Sequence, residues 1–301
     1  MIYKHRKEPK KLIILRSLHN RMNLSETDRQ SYYSLEKGYE GEVMFDRLTE
    51  KLQCECLILN DLLLKVNNTT FQIDTLIISQ DKLFLFEIKN LDGDYFLEQD
   101  RLYKLPRTEY NNPLHQLSRC ESLLRQLLQI LGFNLPIEGN VVFINPEFTL
   151  YQAPRECPII FPTQVNSYLK KINETPSKLT AKHKKLAEKL VSLHIEESPY
   201  TVLPSYEYEQ LRKGIICEGC GSFSVDIQRH KCVCTDCGNE ELTTSAILRS
   251  INEFKLLFPE KKVSAKVIYE WCKIVECKKT IARVLDRNFN KIGVRQWTYY
   301  K

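Results

Sequence analysis

The sequence predicts an α/β domain of element order αβββαβ, followed by a small cysteine-bearing segment and a basic helical tail. Three observations lead there: strand-length apolar runs with charges inside them between residues 55 and 144, helical apolar periodicity on either side of those runs, and two spaced CxxC pairs downstream. Strands mixed with covering helices make a sheet that is apolar on both faces, as Leu57-Ile58-Leu59 and Val141-Val142-Phe143-Ile144 suggest.

The first helix is expected near residues 38–53. It opens at Gly38-Tyr39-Glu40-Gly41-Glu42, and Val43, Met44, Phe45, Leu48 and Leu52 recur at helical spacing, which puts Glu42 in its first turn. Strands follow near 55–64, 70–79 and 82–89. The last two are joined by the short turn Ser79 to Lys82, which returns the chain beside the strand carrying Asp74. Asn112-Pro113-Leu114-His115-Gln116 opens a helix near 112–132, whose stripe is Leu117, Cys120, Leu124, Leu127, Leu128 and Leu131; Gln116 falls in its first turn. The strand Asn140 to Ile144 closes the series.

Asp74 lies in the apolar run Phe71–Ile78, and Glu87 and Lys89 lie in Leu83–Lys89. Side chains alternate along a strand, so Glu87 and Lys89 share a face, and one Asp, one Glu and one Lys can converge. A buried carboxylate is normally neutralised, paired or bound to a metal. Two close carboxylates oppose each other's ionisation, and a divalent cation between them reverses that. Asp74 and Glu87 offer hard oxygen ligands for magnesium or manganese, and Lys89 could orient water or stabilise charge on a phosphate, a set suited to metal-assisted phosphodiester hydrolysis. The same trio also suits a plain salt-bridged cluster. Alone, Glu42 reads as a helix N-terminal charge and Gln116 as a capping or solvated amide.

The order GxxGE, an Asp in an apolar strand, ExK followed closely by Gly93, then NPxxQ, resembles the nuclease-related domain family over about residues 36–165. That family is related to the PD-(D/E)xK nucleases. The resemblance implies a restriction-endonuclease-like core and a magnesium- or manganese-dependent nuclease. It matches Glu42, Asp74, Glu87, Lys89 and Gln116 to active-site positions, with Asp74 and Glu87 as metal ligands.

Downstream, Cys217-Glu-Gly-Cys220-Gly221 and Cys234-Thr-Asp-Cys237-Gly238 are separated by thirteen residues, a zinc-ribbon pattern. Each CxxC can wrap one side of a tetrahedral ion, and each following glycine suits the tight turn after the second ligand. Four thiolates leave no open coordination position, so the zinc would be structural. Cys232 competes as a ligand but lacks the CxxCG repeat. A disulfide pairing and a redox CxxC are the weaker alternatives. Cys54, Cys56, Cys120, Cys157, Cys272 and Cys277 share no ligand spacing and read as small apolar thiols.

Residues 246–301 hold 13 Lys and Arg against 5 Asp and Glu, while residues 1–245 hold 31 against 33. The basic surface is therefore carboxy-terminal, which suggests contact with nucleic acid, DNA in the first instance, as against a merely solvated basic domain. Helices ending at Phe258, spanning Ser264–Cys272 and spanning Lys278–Asn290 resemble a winged helix-turn-helix. Lys279, Arg283, Arg287 and Lys291 recur every four residues as a basic stripe on the third. After Gly293, Val294 to Lys301 alternates like a strand, with Trp297 expected in a small core rather than as a base-stacking platform.

The expected organisation is an extension at 1–35, the nuclease-related domain at 36–165, a helical connector at 166–212, the zinc ribbon at 213–243 and the basic helix-turn-helix-like domain at 244–301. Leu12 to Leu15 of the extension could dock on the core; residues 1–35 carry no functional reading. Lys182-His-Lys-Lys185 reads as an exposed helix face, and His115, His183 and His194 as surface or capping residues. No run approaches a membrane span, and the cysteine usage fits a reducing cytoplasm. A homo-oligomer stays open, because one active site cutting a duplex must act twice or pair with a second copy. The alternative function is a non-catalytic nucleic-acid-binding or regulatory protein with a nuclease-like scaffold; a zinc-dependent protein-interaction module at the tail is a third.

Overall fold

Mixed helix and strand is what the computed structural model shows for residues 1–197, 201–294 and 297–301, the residues it describes. In chain order the elements begin β1 (Ile2–Lys4), α1 (Lys10–Arg21), α2 (Glu26–Thr49), β2 (Leu57–Val66), β3 (Thr69–Ile78) and β4 (Leu83–Lys89). Then come β5 (Gly93–Glu98), β6 (Arg101–Lys104), β7 (Thr108–Tyr110), α3 (Pro113–Ile130), β8 (Ile137–Phe143), β9 (Phe148–Tyr151), β10 (Ile159–Ile160), α4 (Val165–Glu174) and α5 (Ala181–Ser192). The remainder is β11 (Val225–Gln228), β12 (Lys231–Cys234), β13 (Glu240–Leu242), α6 (Thr243–Leu257), α7 (Ala265–Cys272), α8 (Lys278–Asn288), β14 (Lys291–Ile292) and β15 (Tyr299–Tyr300). Among the described residues no helix is long and apolar enough to cross a membrane.

Two compact units result. Met1–Glu8 and Tyr33–Thr201 form the first, Pro9–Tyr32 and Val202–Lys301 the second. Residues 1–35 are thus divided between the units rather than set apart as an extension, and Ile14 and Leu18 of α1 are buried in the second unit's core. Within 166–212, α4 and most of α5's apolar face belong to the first unit's core.

The first unit is built on a six-stranded sheet of order β1-β2-β3-β4-β8-β10. β2, β3 and β4 are antiparallel neighbours, while β1, β8 and β10 join in parallel. One face packs on Leu117, Leu124 and Leu128 of α3 and Leu186 and Leu190 of α5. The other face packs on Phe45 of α2 and Val165, Leu169 and Ile172 of α4. Each fully buried Leu, Ile or Phe contributes about 1.5–3 kcal/mol, so this sheet is the main stabilising element of the unit. A second sheet of order β7-β6-β5-β9 takes β5, β6 and β7 from between β4 and α3 and β9 from after β8; its Tyr95, Leu102 and Phe148 extend the α3-side core. The αβββαβ order expected from the sequence does not contain it.

Alternation along β2 and β3 is interrupted at one point. Leu57 and Leu59 face the α3 layer, but so do Leu62 and Leu64; on the partner strand Phe71 and Ile73 share that face with Leu76 and Ile78. The break falls at Asp61 and Asp74, between the pairs Asn60↔Thr75 and Leu62↔Ile73, which keep one register, and Asp61 takes φ +55°. Such irregularities re-aim side chains out of strict alternation.

Helix α2 begins at Glu26, so Glu42 lies well inside it and not in a first turn, which corrects the expected start near residue 38. Gly41 has a packing reason: a Cβ there would lie 2.5 Å from Asn90 Cβ, just past the end of β4. Asn90 Nδ2 donates to Lys37 O at 2.8 Å, which ties the helix to that strand end. A Cβ at Gly38 would meet nothing, so packing does not explain that glycine.

In the second unit, α6, α7 and α8 pack with Phe254, Trp271, Ile281 and Leu285 buried between them. The sheet β11-β12-β13 carries the second CxxC, and β14 pairs with β15 in a short hairpin. Tyr300 enters the core, but Trp297 is 77% exposed and Val294 is 74% exposed, so Trp297 is not the core residue expected. Residues 295–296 of that expected strand lie outside the described residues.

Candidate functional site

Strand β4 sets the centre of the first unit's site. Leu83 and Leu85 point to the α3 layer, so Glu87 and Lys89 follow them onto that face, as the period of two requires. Lys89 Nζ lies 2.7 Å from Glu87 Oε1 and donates to Gln116 Oε1 at 3.1 Å. Gln116 is in the first turn of α3, whose start is capped by Asn112 Oδ1 accepting from Leu114 N at 3.0 Å. Lys89 thus pairs with Glu87, which is 2% exposed, and Gln116 also interacts with the Glu87 carboxylate.

Asp74 joins this group from β3, where its Oδ2 accepts from Ile88 N at 2.8 Å. Glu42 arrives from α2, on the opposite layer. The break at Asp61 and Asp74 lies between the two layers, and Asp74 couples electrostatically to Glu42 and to Glu87. All five residues expected from the sequence therefore belong to one electrostatic cluster.

Three further charged residues belong to it that the sequence does not single out. Arg6, two residues beyond β1, donates through Nη1 to Glu42 Oε2 at 2.5 Å and through Nε to Asp46 Oδ2 at 2.9 Å. Its Nη2 donates to Asp46 Oδ1 at 3.1 Å and Asp74 O at 2.8 Å. Its side chain is 3% exposed. Asp46 sits one helical turn after Glu42, and Asp61 adds negative charge next to Asp74. Asp61 had a legible signal, a carboxylate within the run Leu57–Leu64; Arg6 had none, because nothing local marks a residue that acts 36 to 68 positions away.

Burial sets the protonation of the cluster. It pushes Glu42 up to about 8, reinforced by Asp74 and opposed by Arg6. Burial likewise pushes Glu87 up to about 7, with Asp74 adding to it and Lys89 opposing. Asp74 is held above the usual carboxylate range by burial, against the charge of Lys89 and the bond from Ile88 N. Burial alone would depress Lys89, but Glu87, Asp74 and Glu42 outweigh it and hold the ammonium protonated. An arrangement of several buried carboxylates competing for too little positive charge favours an added cation. The hard oxygen donors of Asp74 and Glu87, buried with more negative than positive charge around them, suit a hard divalent ion. Glu42, Asp74 and Glu87 are spread too widely to act as three ligands at once: among the described residues they form no group with ligand atoms all within 4.8 Å.

The cysteines of the second unit do form such a group. The Sγ atoms of Cys217, Cys220, Cys234 and Cys237 all lie within 4.8 Å of one another, and the pairs 217–237 and 220–234 are 3.6 Å apart. Zn–S bonds of about 2.3 Å in a tetrahedron put sulfurs about 3.8 Å apart, so the four could hold zinc. Gly221 at φ +72° and Gly238 at φ +73° take the left-handed turn after each second cysteine. Cys232 points away into the core, 1% exposed.

On α8, Lys279, Arg283 and Arg287 are exposed on one face. Lys291 lies beyond the helix on β14, 3.5 Å from Asp286 Oδ1, so it is not part of the helical stripe. The histidines have structural partners: His183 Nδ1 accepts from Thr180 N at 2.9 Å, His194 Nδ1 accepts from Leu63 N at 3.1 Å, and His115 Nε2 lies 2.6 Å from Asp100 Oδ2.

Comparison with curated proteins and with solved structures finds no match. Residues 37–144, which hold Glu42, Asp74, Glu87, Lys89 and Gln116 but neither Arg6 nor the four cysteines, match the family model described as the nuclease-related domain.

Proposed function

We propose that the protein is a metal-dependent nuclease that hydrolyses phosphodiester bonds, DNA being the favoured substrate. The observation that carries this reading is the convergence of Asp74, Glu87 and Lys89 at one sheet position, inside the segment similar to a nuclease-related domain. Asp74 and Glu87 would hold a magnesium or manganese ion, which when bound supplies Lewis-acid stabilisation of charge on the phosphate. Because Glu87 is pushed up to about 7, it holds its proton part of the time near neutral pH, and cation binding must release that proton. Lys89, kept protonated and oriented by Gln116, is suited to stabilise negative charge developing on the scissile phosphate. Glu42 adds negative charge on the α2 side, where Arg6 meets it.

In this reading the four cysteines hold a structural zinc, and the exposed face of α8 meets phosphates as a helix-turn-helix-like module. The second reading, a binding protein with a nuclease-like scaffold, draws on a specific observation too. Lys89 pairs with Glu87 and Arg6 with Glu42, so much of the negative charge has an internal partner.

Plasmid cleavage with and without magnesium separates the two. Glu87→Ala and Lys89→Ala should each lower the rate by roughly 100-fold or more, with binding retained, because each removes an interaction made with the reacting phosphate or its metal. If wild type and both variants bind DNA and none cuts it across metals and substrates, the enzyme reading is lost.

A further inference from the structure

Residues 1–8 bear no recognisable motif, yet they supply the most heavily bonded charge near the site. β1 runs parallel to β2, with Ile2 opposite Ile58 and Lys4 opposite Leu59. Lys4 Nζ then donates to Asn60 O at 2.8 Å and Asp61 O at 2.6 Å, gripping the backbone where alternation slips. Two residues later Arg6 bridges two elements, α2 and β3. Its guanidinium holds Glu42 and Asp46 on α2, and donates to the carbonyl of Asp74 on β3. A planar fork with several fixed donors can hold two carboxylates and a carbonyl at once, which an ammonium cannot.

We propose that Arg6 is a positioning residue for the site: the amino-terminal segment completes the site by locking α2 and β3 together at Glu42 and Asp74. The inference rests on the nuclease reading of Asp74 and Glu87. Arg6 itself touches no reacting atom; it acts through the backbone of a ligand and through Glu42. A consequence is that the segment similar to a nuclease-related domain, residues 37–144, is an incomplete site without residues 1–8.

The test is calorimetric titration of manganese into the full, zinc-loaded chain, alongside steady-state cleavage of an oligonucleotide. Arg6→Lys keeps the charge and removes the fork. It should weaken manganese binding and lower kcat by roughly tenfold or more, as loss of groups that orient ligands does, with KM for the oligonucleotide within about twofold. Arg6→Ala should lose more, and added methylguanidinium should restore part of it. The proposal is overturned if Arg6→Lys melts earlier but binds manganese like wild type, since the role is then only structural. It is equally overturned if Arg6→Ala binds manganese more tightly, since the guanidinium then blocks a cation position. Manganese binding by wild type without any cleavage would sink the nuclease reading alone, and the manganese titration would still decide the role of Arg6. A wild type that binds no manganese overturns both.

Discussion

The two units handle polar groups in opposite ways. In the first, a six-stranded sheet packed on both faces buries Asp74 and Glu87 to 6% and 2% exposure. Its apolar core is large enough to hold charges that oppose folding. In the second, Cys220 and Cys237 are exposed, and the strands beside them are only three or four residues long. There the ion would hold the fold, whereas in the first unit the fold holds the site. The second unit's core lies mainly among its helices, and of the ribbon Cys217, Val225, Cys232 and Cys234 are buried in it, so the ribbon's own short strands gain little from burial.

Metal removal probes that contrast most strongly. Stripping zinc with a chelator, or replacing Cys234 with Ser, should abolish the ordered ribbon, since ligation of four thiolates contributes on the order of 10 kcal/mol to such folds. Near-ultraviolet circular dichroism and proteolysis around residues 215–242 read the result. A ribbon equally resistant with and without zinc would erase the contrast.

Proton binding sharpens the other side. Glu42 and Glu87 titrate near 8 and 7 in the folded chain and near 4.5 when unfolded, so between about pH 4.5 and 8 the folded state holds protons that the unfolded state has released. Stability from these groups is complete below pH 4.5 and is lost as pH rises through 7 to 8. In the zinc-loaded, magnesium-free protein this should amount to on the order of 2 kcal/mol, discounting the shifts for coupling between the groups. Denaturant midpoints measured from pH 5 to pH 8.5 should fall, and the double variant Glu42→Gln/Glu87→Gln should flatten the curve. A profile unchanged by the double variant would mean that the two carboxyls are not held this way.

The smallest effect belongs to the surface of the second unit. Replacing Lys279, Arg283 and Arg287 together with Ala should reduce the slope of log binding constant against log salt by roughly 2 to 3, about 0.9 for each phosphate no longer neutralised. Lys291→Ala, off the helix and paired with Asp286, should change it by less. Equal slopes for all the variants would remove α8 from the nucleic-acid surface.

Much of the local structure was legible because it depends on neighbours in sequence. The hairpin from Ile78 to Leu83, the helix from Pro113 and the shared face of Glu87 and Lys89 follow from turn length, capping and strand period. The grouping of the four cysteines followed from ligand spacing. The start of α2 is not legible because Gly38 and Gly41 read as a boundary, while Gly41 is there for the close approach of Asn90. Trp297 departs from its expected place because strand alternation does not continue where the hairpin is only two residue pairs long.

By itself the sequence determined which chemical groups are at hand: carboxylates and an amine within apolar strands, four thiolates at zinc spacing, and cations every four residues on a helix. Short-range periodicity and spacing suffice for that. Only the tertiary structure decided that side-chain alternation along β2 and β3 breaks at Asp61 and Asp74, and that Arg6 crosses to Glu42, Asp46 and Asp74. Those outcomes arise from strand pairing and packing between segments far apart in the chain, and no local pattern encodes them.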